Sequence, residues 1–104
     1  MKLMTKAIEK ALPKLKSSEH VKMEDKTIVC KFFDPCSHWT WYVAEGERDE
    51  DGDLIFFGLV IGFEKEWGYF SLAELEGVRN RMGLPLERDL HFTPCKVSEL
   101  RGVV

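Results

Sequence analysis

Apolar residues recur three and four positions apart at the start of the chain, at Leu3, Met4, Ala7, Ile8, Ala11, Leu12 and Leu15, with Lys6, Lys10 and Lys14 on the other side. That is the period of an amphipathic helix, and Thr5 is available as its N-cap. Pro13 lacks a backbone donor and crowds the preceding turn, so the helix is expected to stop, kink or restart there. Lysines opposite an apolar stripe also suit a membrane-surface helix, but on a chain this small the core-facing reading is preferred.

From Thr27 the period changes to two. Thr27 to Phe33 is β-branched and aromatic, and Asp34-Pro35 closes it with a turn signal. Trp39 to Glu45 alternates, which sends Trp39, Trp41 and Val43 to one face and Thr40, Tyr42 and Ala44 to the other. Gly46 to Asp53 reads as a charged hairpin tip in which Asp51-Gly52 favours positive φ. Leu54 to Phe63 is apolar on both faces, the mark of an interior strand, and Gly58 and Gly62 within it suggest a bulge, a bend or the close approach of another element. Residues 66–70 form a fourth strand.

Ser71-Leu72-Ala73-Glu74 has the form of a capping box, and Phe70 is placed to staple against Leu75. A second helix therefore starts at Leu72, with Leu72, Leu75, Val78 and Met82 as its buried stripe and Gly83 and Pro85 as its stop. Arg88 to Phe92 can add a further strand, and the residues from Thr93 onward read as a loosely structured tail. The expected fold class is α+β: a curled antiparallel meander of four to five strands, with an N-terminal helix and a second helix after strand four, in a single domain over residues 1–104.

Composition narrows the function classes. The longest apolar run is too short to span a bilayer as a helix, and no export signal precedes it, so the expectation is a cytoplasmic chain with no membrane partner. Three cysteines, an odd number, argue for reduced thiols over a disulfide framework. The net charge of −3 disfavours nucleic acid as the main partner. Charge is unevenly spread: residues 1–26 hold seven lysines against four acids, and residues 45–53 hold six acids against Arg48 alone. Both stretches read as solvated faces in preference to docking patches.

The candidate chemistry is thin. Cys36, His38, His91 and Cys95 make a ligand set zinc accepts, but Cys-x-His is not a common metal spacing and nothing in the sequence brings residues 36 and 91 together. Cys36 with His38 and Asp34 contains the parts of an activated thiol, although one short loop rarely arranges all three for catalysis. No phosphate-binding glycine loop or hydrolase motif accompanies them. The expectation is therefore a non-enzymatic protein with no cofactor and no metal. If Trp41 enters the core, Tyr42 is displayed on the opposite face near the Asp34–His38 loop. Asp34, His38, Tyr42 and Arg88 are then the candidate partner-binding residues, with Arg88 more readily explained as a structural closure of the sheet edge.

Lys31-Phe32-Phe33 with Pro35, Trp39-Thr40-Trp41-Tyr42-Val43, Phe56 to Val60 with Gly62, Gly68 to Leu72 with Glu74-Leu75, and Glu87 to Leu90 with Phe92 run along nearly the whole chain. Together they resemble a domain-of-unknown-function family of roughly hundred-residue proteins carried by bacterial plasmids, phages and other mobile elements. The resemblance implies an accessory gene of mobile DNA and brings no catalytic residues with it. The expected function is protein–protein interaction, as in the inhibition of a host defence system (anti-CRISPR or anti-restriction type) or of a DNA-processing complex. The alternatives are a single-stranded nucleic-acid-binding accessory protein and a small zinc- or thiol-dependent enzyme.

Overall fold

In the computed structural model, which describes residues 1–102, Thr5 caps the first helix by accepting the Ile8 N–H at 3.1 Å, and the helix α1 runs Lys6–Ala11. It ends just before Pro13, as the missing proline donor requires. The strands that follow are β1 (Thr27–Ile28), β2 (Cys30–Phe33), β3 (Thr40–Arg48), β4 (Leu54–Ile61) and β5 (Lys65–Ser71). After them come α2 (Leu72–Gly77), β6 (Glu87–Arg88) and β7 (Cys95–Lys96). Five strands form one antiparallel sheet in the order β5-β4-β3-β2-β6, and β1 pairs with β7 in a separate two-stranded ribbon. The α+β class and the antiparallel meander agree with the alternation in the sequence. Among the described residues no helix is long and apolar enough to cross a membrane.

Both faces of the sheet are covered. On the first face α1, α2 and the N-terminal residues close over Cys30, Phe32, Val43, Leu54, Phe56 and Phe70, with Trp41 partly buried against them. Full burial of a ring such as Phe32 or Phe56 contributes about 1.5–3 kcal/mol. On the second face Val97 and Leu100, from the 3-10 turn Val97–Glu99 and the residue after it, cover Ile28, Tyr42, Ala44 and Leu59. The tail that reads as loose is thus a packed lid, because β3 and β4 are apolar on both sides and the second side needs a cover.

Gly58 is where another chain element comes close: a Cβ there would collide with the Tyr42 carbonyl oxygen of the neighbouring strand. The register of β3 on β4 shifts beside it, between Val43 and Glu45. This bulge at Ala44 has a chemical consequence. Unbroken alternation would carry Glu45 to the first face with Val43; the bulge instead pairs it with Phe57 on the second face and leaves Gly46 to meet Leu12 and Phe56 on the first.

Three expectations are corrected. The stripe in the sequence takes the second helix to Met82, but α2 ends at Gly77, Val78 is already extended, and Met82 is 69 % exposed. Asn80 organises a turn there instead, its side chain accepting the N–H groups of Met82 and Leu84. The expected strand over 88–92 is only two residues long, paired with Phe32 and Phe33 on β2. The expected strand over 27–33 is divided, since Ile28 turns to β7 and Cys30 to β3.

Candidate functional site

The four residues singled out from the sequence do not form one surface. Tyr42 was expected on display and is buried at 8 % exposure, its ring 6.3 Å from that of Phe92 beneath the C-terminal lid. Burial raises its hydroxyl pKa, with smaller contributions from Cys95 and Asp89. Arg88 pairs with Phe32 and so lies toward the other face, where its Nη1 donates to the carbonyls of Lys2 and Leu3 at 2.8 and 2.7 Å. It straps the N-terminal chain to the sheet edge.

Asp34 and His38 do share the exposed loop after β2, and both are engaged within the chain. Asp34 accepts from the Cys36 N–H at 2.9 Å, the Asn80 amide at 2.8 Å and the Ser37 hydroxyl at 3.0 Å, which together hold its carboxyl below the usual carboxylate range. His38 Nε2 lies 2.9 Å from the Gly62 carbonyl oxygen. Beside this loop Trp39 packs edge-on against Phe63, an exposed ring at the β4–β5 turn.

The cysteine chemistry does not assemble either. Among the described residues no group of three or more His, Cys, Asp or Glu side chains is placed to hold a metal. Burial pushes the Cys30 thiol up to about 12, and Cys95 is also raised, first by burial and then by the charge of Glu99.

The residues that do converge lie on the second face, along the open edge of the sheet. β5 is a terminal strand, and among the described residues no further strand pairs with its outer side. On its second face β5 places Trp67 opposite Leu59 and Tyr69 opposite Phe57. Phe57 stacks on Trp67 with centroids 5.5 Å apart and meets Tyr69 at 5.1 Å, giving a three-ring ladder whose outer ring, Tyr69, is 57 % exposed. The chain from Lys16 to Glu24 runs beside this ladder and turns it into a groove. Met23, 44 % exposed, lines two recesses. The one at Trp67 is about 210 Å³, with Leu59 and Val97 among its apolar walls. The one at Tyr69 is about 230 Å³ and is bordered by Lys16, Glu19 and Phe57.

Beneath the second recess sits a buried polar cluster. Glu45, 2 % exposed, accepts the N–H groups of Lys16 at 2.7 Å and Ser18 at 3.1 Å, and also the Ser18 hydroxyl. Lys26, 3 % exposed, donates its Nζ to the Ser18 carbonyl and, at 3.1 Å, to Ser18 Oγ; the same ammonium lies 5.9 Å from the Phe57 centroid, within cation–π range. Lys16 adopts positive φ, 68°, to bring these donors onto the carboxylate. Chemically, the cluster is a satisfied clamp that fixes one wall of the groove, and every buried polar side-chain atom among the described residues has a partner. The sequence singles out neither Trp67 nor Tyr69 as site residues, and it places Glu45 in an acidic stretch read as solvated, whereas the bulge at Ala44 buries it. The alternation of Trp67 and Tyr69 in Lys65–Ser71 was the available signal for the first two.

The larger recess of about 530 Å³, on the other face, is bordered by Lys2, Lys6, Leu72 and Glu76, and its Arg48 is committed to Glu9 at 2.7 Å. Fold and site together define an α+β domain with a five-stranded antiparallel sheet and an aromatic groove along its open edge. The chain belongs to a family of proteins of unknown function, DUF2958, whose family model matches residues 3–99. Neither a search of curated proteins nor a search of solved structures returns a match.

Proposed function

We propose that this chain is a non-enzymatic interaction module, an accessory protein of a mobile genetic element whose partner is a protein of the host's defence or DNA-processing machinery. The observation that carries the reading is the groove: exposed aromatic and methionine surface along the outer strand of the sheet, beside a buried polar clamp that is itself saturated. Aromatic residues in a fixed setting with a polar rim are what protein interfaces concentrate their binding energy on, and methionine adapts to irregular partner surfaces. The mobile-element context rests on the resemblance across the chain. An enzymatic role has less support, since neither the sequence nor the lining of the two recesses, among the described residues, offers a nucleophile with a base to activate it.

A second reading, stacking of single-stranded bases on the ladder, is favoured by three rings flanked by lysines. It is opposed by Glu19 and Glu24 on the same recesses and by the net charge of −3.

The test is a photo-crosslinking benzoylphenylalanine at position 69 in cells bearing the element, with the same group at position 76 on the opposite face as control. A protein joined at 69 and not at 76 is then purified and titrated against wild type, Tyr69→Ala and Met23→Ala. Affinity reduced about tenfold by either variant is the expected result. Equal binding by all three proteins would exclude the groove as the interaction surface. Labelled single strands that bind at low salt, with affinity lost in Tyr69→Ala, would move the assignment to nucleic acid.

A further inference from the structure

At the opposite edge of the sheet from β5, a recess of about 300 Å³ lies between α1 and the chain after β6. We infer that it binds a small carboxylate with an apolar body, of the medium-chain acyl or cyclic hydrocarbon kind, whose carboxyl sits on Arg88. The site is independent of the groove. The first observation behind it is how Arg88 spends its donors. Its Nη1 donates to the carbonyls of Lys2 and Leu3 at 2.8 and 2.7 Å, whereas Nε and Nη2 meet no acceptor among the described residues. No buried side-chain nitrogen there lacks a partner, so these two donors are open to solvent. Nε and Nη2 make the side-on fork that a carboxylate accepts with both oxygens. The chain uses that fork elsewhere: Nε and Nη2 of Arg48 hold the Glu9 carboxylate at 3.1 and 2.7 Å. In the recess of about 530 Å³ the arginine is therefore already answered from within, and in this one it is not.

The lining supplies the rest of the chemistry. Ala7 and Ala11 of α1, Leu90 and Phe92 after β6, and the buried Cys30 give it apolar walls. Leu90 is 63 % exposed, an apolar side chain that the fold leaves uncovered at this recess. The one acid on the lining is Asp89, and its charge is met by Lys31 at 3.7 Å and by the His91 N–H at 2.9 Å. Burial pushes the Cys30 thiol up to about 12, so that side chain stays neutral and does not repel an anion. The volume lies at the lower end of the roughly 300–1,000 Å³ of small-molecule sites, which limits the body to a single ring or a chain of several carbons.

The experiment titrates the full chain, isotope-labelled for amide NMR, with octanoate, cyclohexanecarboxylate, octanol and acetate. Expected is saturable binding of octanoate or cyclohexanecarboxylate, with shifts centred on residues 7–11, 29–30 and 88–92. Octanol, which lacks the charge, and acetate, which lacks the body, should bind at least tenfold more weakly. Arg88→Lys keeps the charge without the fork and should weaken the bound carboxylate about tenfold. Because Arg88 also straps the N-terminal chain, Ala7→Phe serves as a second variant. Residue 7 is exposed on the border of the recess, so its new ring should fill the space and remove binding at an unchanged thermal midpoint. The inference is overturned if neither carboxylate binds, if octanol binds as well as octanoate, or if either variant binds as wild type does. It is equally overturned if the shifts centre on Trp67 and Tyr69. A short peptide ending in leucine that binds tenfold tighter than octanoate, and not at all as its C-terminal amide, would overturn it in favour of a protein C-terminus.

Discussion

Lys26 and Glu45 are buried side by side without a direct ion pair, and Ser18 stands between them, donating its hydroxyl to Glu45 while accepting from Lys26 Nζ at 3.1 Å. Burying two charges is costly, and here the cost is offset only because each is met by oriented groups of the 16–18 backbone. Removing one member leaves the other a buried charge without its opposite charge nearby, and leaves groups of the 16–18 segment unmet. Glu45→Ala and Lys26→Met should each lower stability by about 3–5 kcal/mol, with the double variant losing clearly less than the sum. Urea unfolding of the three proteins checks this. Losses below about 1 kcal/mol would mean that the 14–26 segment is held by apolar contact and not by the clamp.

The second helix begins where its cap is. The Ser71 hydroxyl accepts the Glu74 N–H at 3.1 Å and the residue is buried, so little water can replace the lost bond. Ser71→Ala should cost about 1 kcal/mol, read from the denaturation midpoint at unchanged slope. An unchanged midpoint would show that packing of Leu75, not the cap, sets the helix start.

What the sequence made legible was local. Alternation through Trp41, Tyr42 and Val43, the double-sided apolar run of β4, the caps at Thr5 and Ser71 and the close approach at Gly58 are each decided within a few residues, and each appears in the structure. The failures are long-range. Val97 and Leu100 form one short apolar step among polar neighbours, too little to announce a lid, yet they bury Tyr42. The bulge at Ala44 depends on pairing with β4, and without it no reading of the alternation puts Glu45 beneath the groove. Met82 continued a helical stripe that Gly77 had already ended. Trp67 and Tyr69 lay in a predicted strand, but that this strand was an edge, and that residues 16–24 ran beside it, required the strand order.

Acid should loosen the loop after β2. The Asp34 carboxyl is held below its ordinary range by the Cys36 N–H, the Asn80 amide and the Ser37 hydroxyl, so the folded state prefers the ionised form more strongly than the unfolded chain does. The stabilisation is present above the unfolded carboxylate range, near pH 4, and is lost as pH falls through the depressed folded value. Glu9, lowered chiefly by its hydrogen bond with Arg48, acts in the same direction. Asp34→Asn should therefore flatten the acid limb of a stability profile while changing its neutral slope little. Thermal midpoints measured from about pH 7 down to about pH 3 give the comparison. An identical acid limb in wild type and variant would remove Asp34 as a contributor.

The two tyrosines separate fold from surface. Tyr42 and Tyr69 both point to the second face of the sheet, one strand apart across β4, but Tyr42 is 8 % exposed under Phe92 and the C-terminal lid whereas Tyr69 is 57 % exposed at the open edge. Tyr42→Ala opens a cavity lined by Leu59, Val97 and Leu100 and should cost about 3–5 kcal/mol, the loss typical of a large buried side chain. Tyr69→Ala removes a ring that meets Phe57 and is more than half exposed, and should cost about 1 kcal/mol at most. Chemical unfolding of both variants decides it: a large loss at 42 with a small one at 69 fits the lid and the groove together. A small loss at 42 would mean that the lid opens readily and that the second face is available to partners after all. A large loss at 69 would make the ladder part of the core and leave the groove without its exposed anchor.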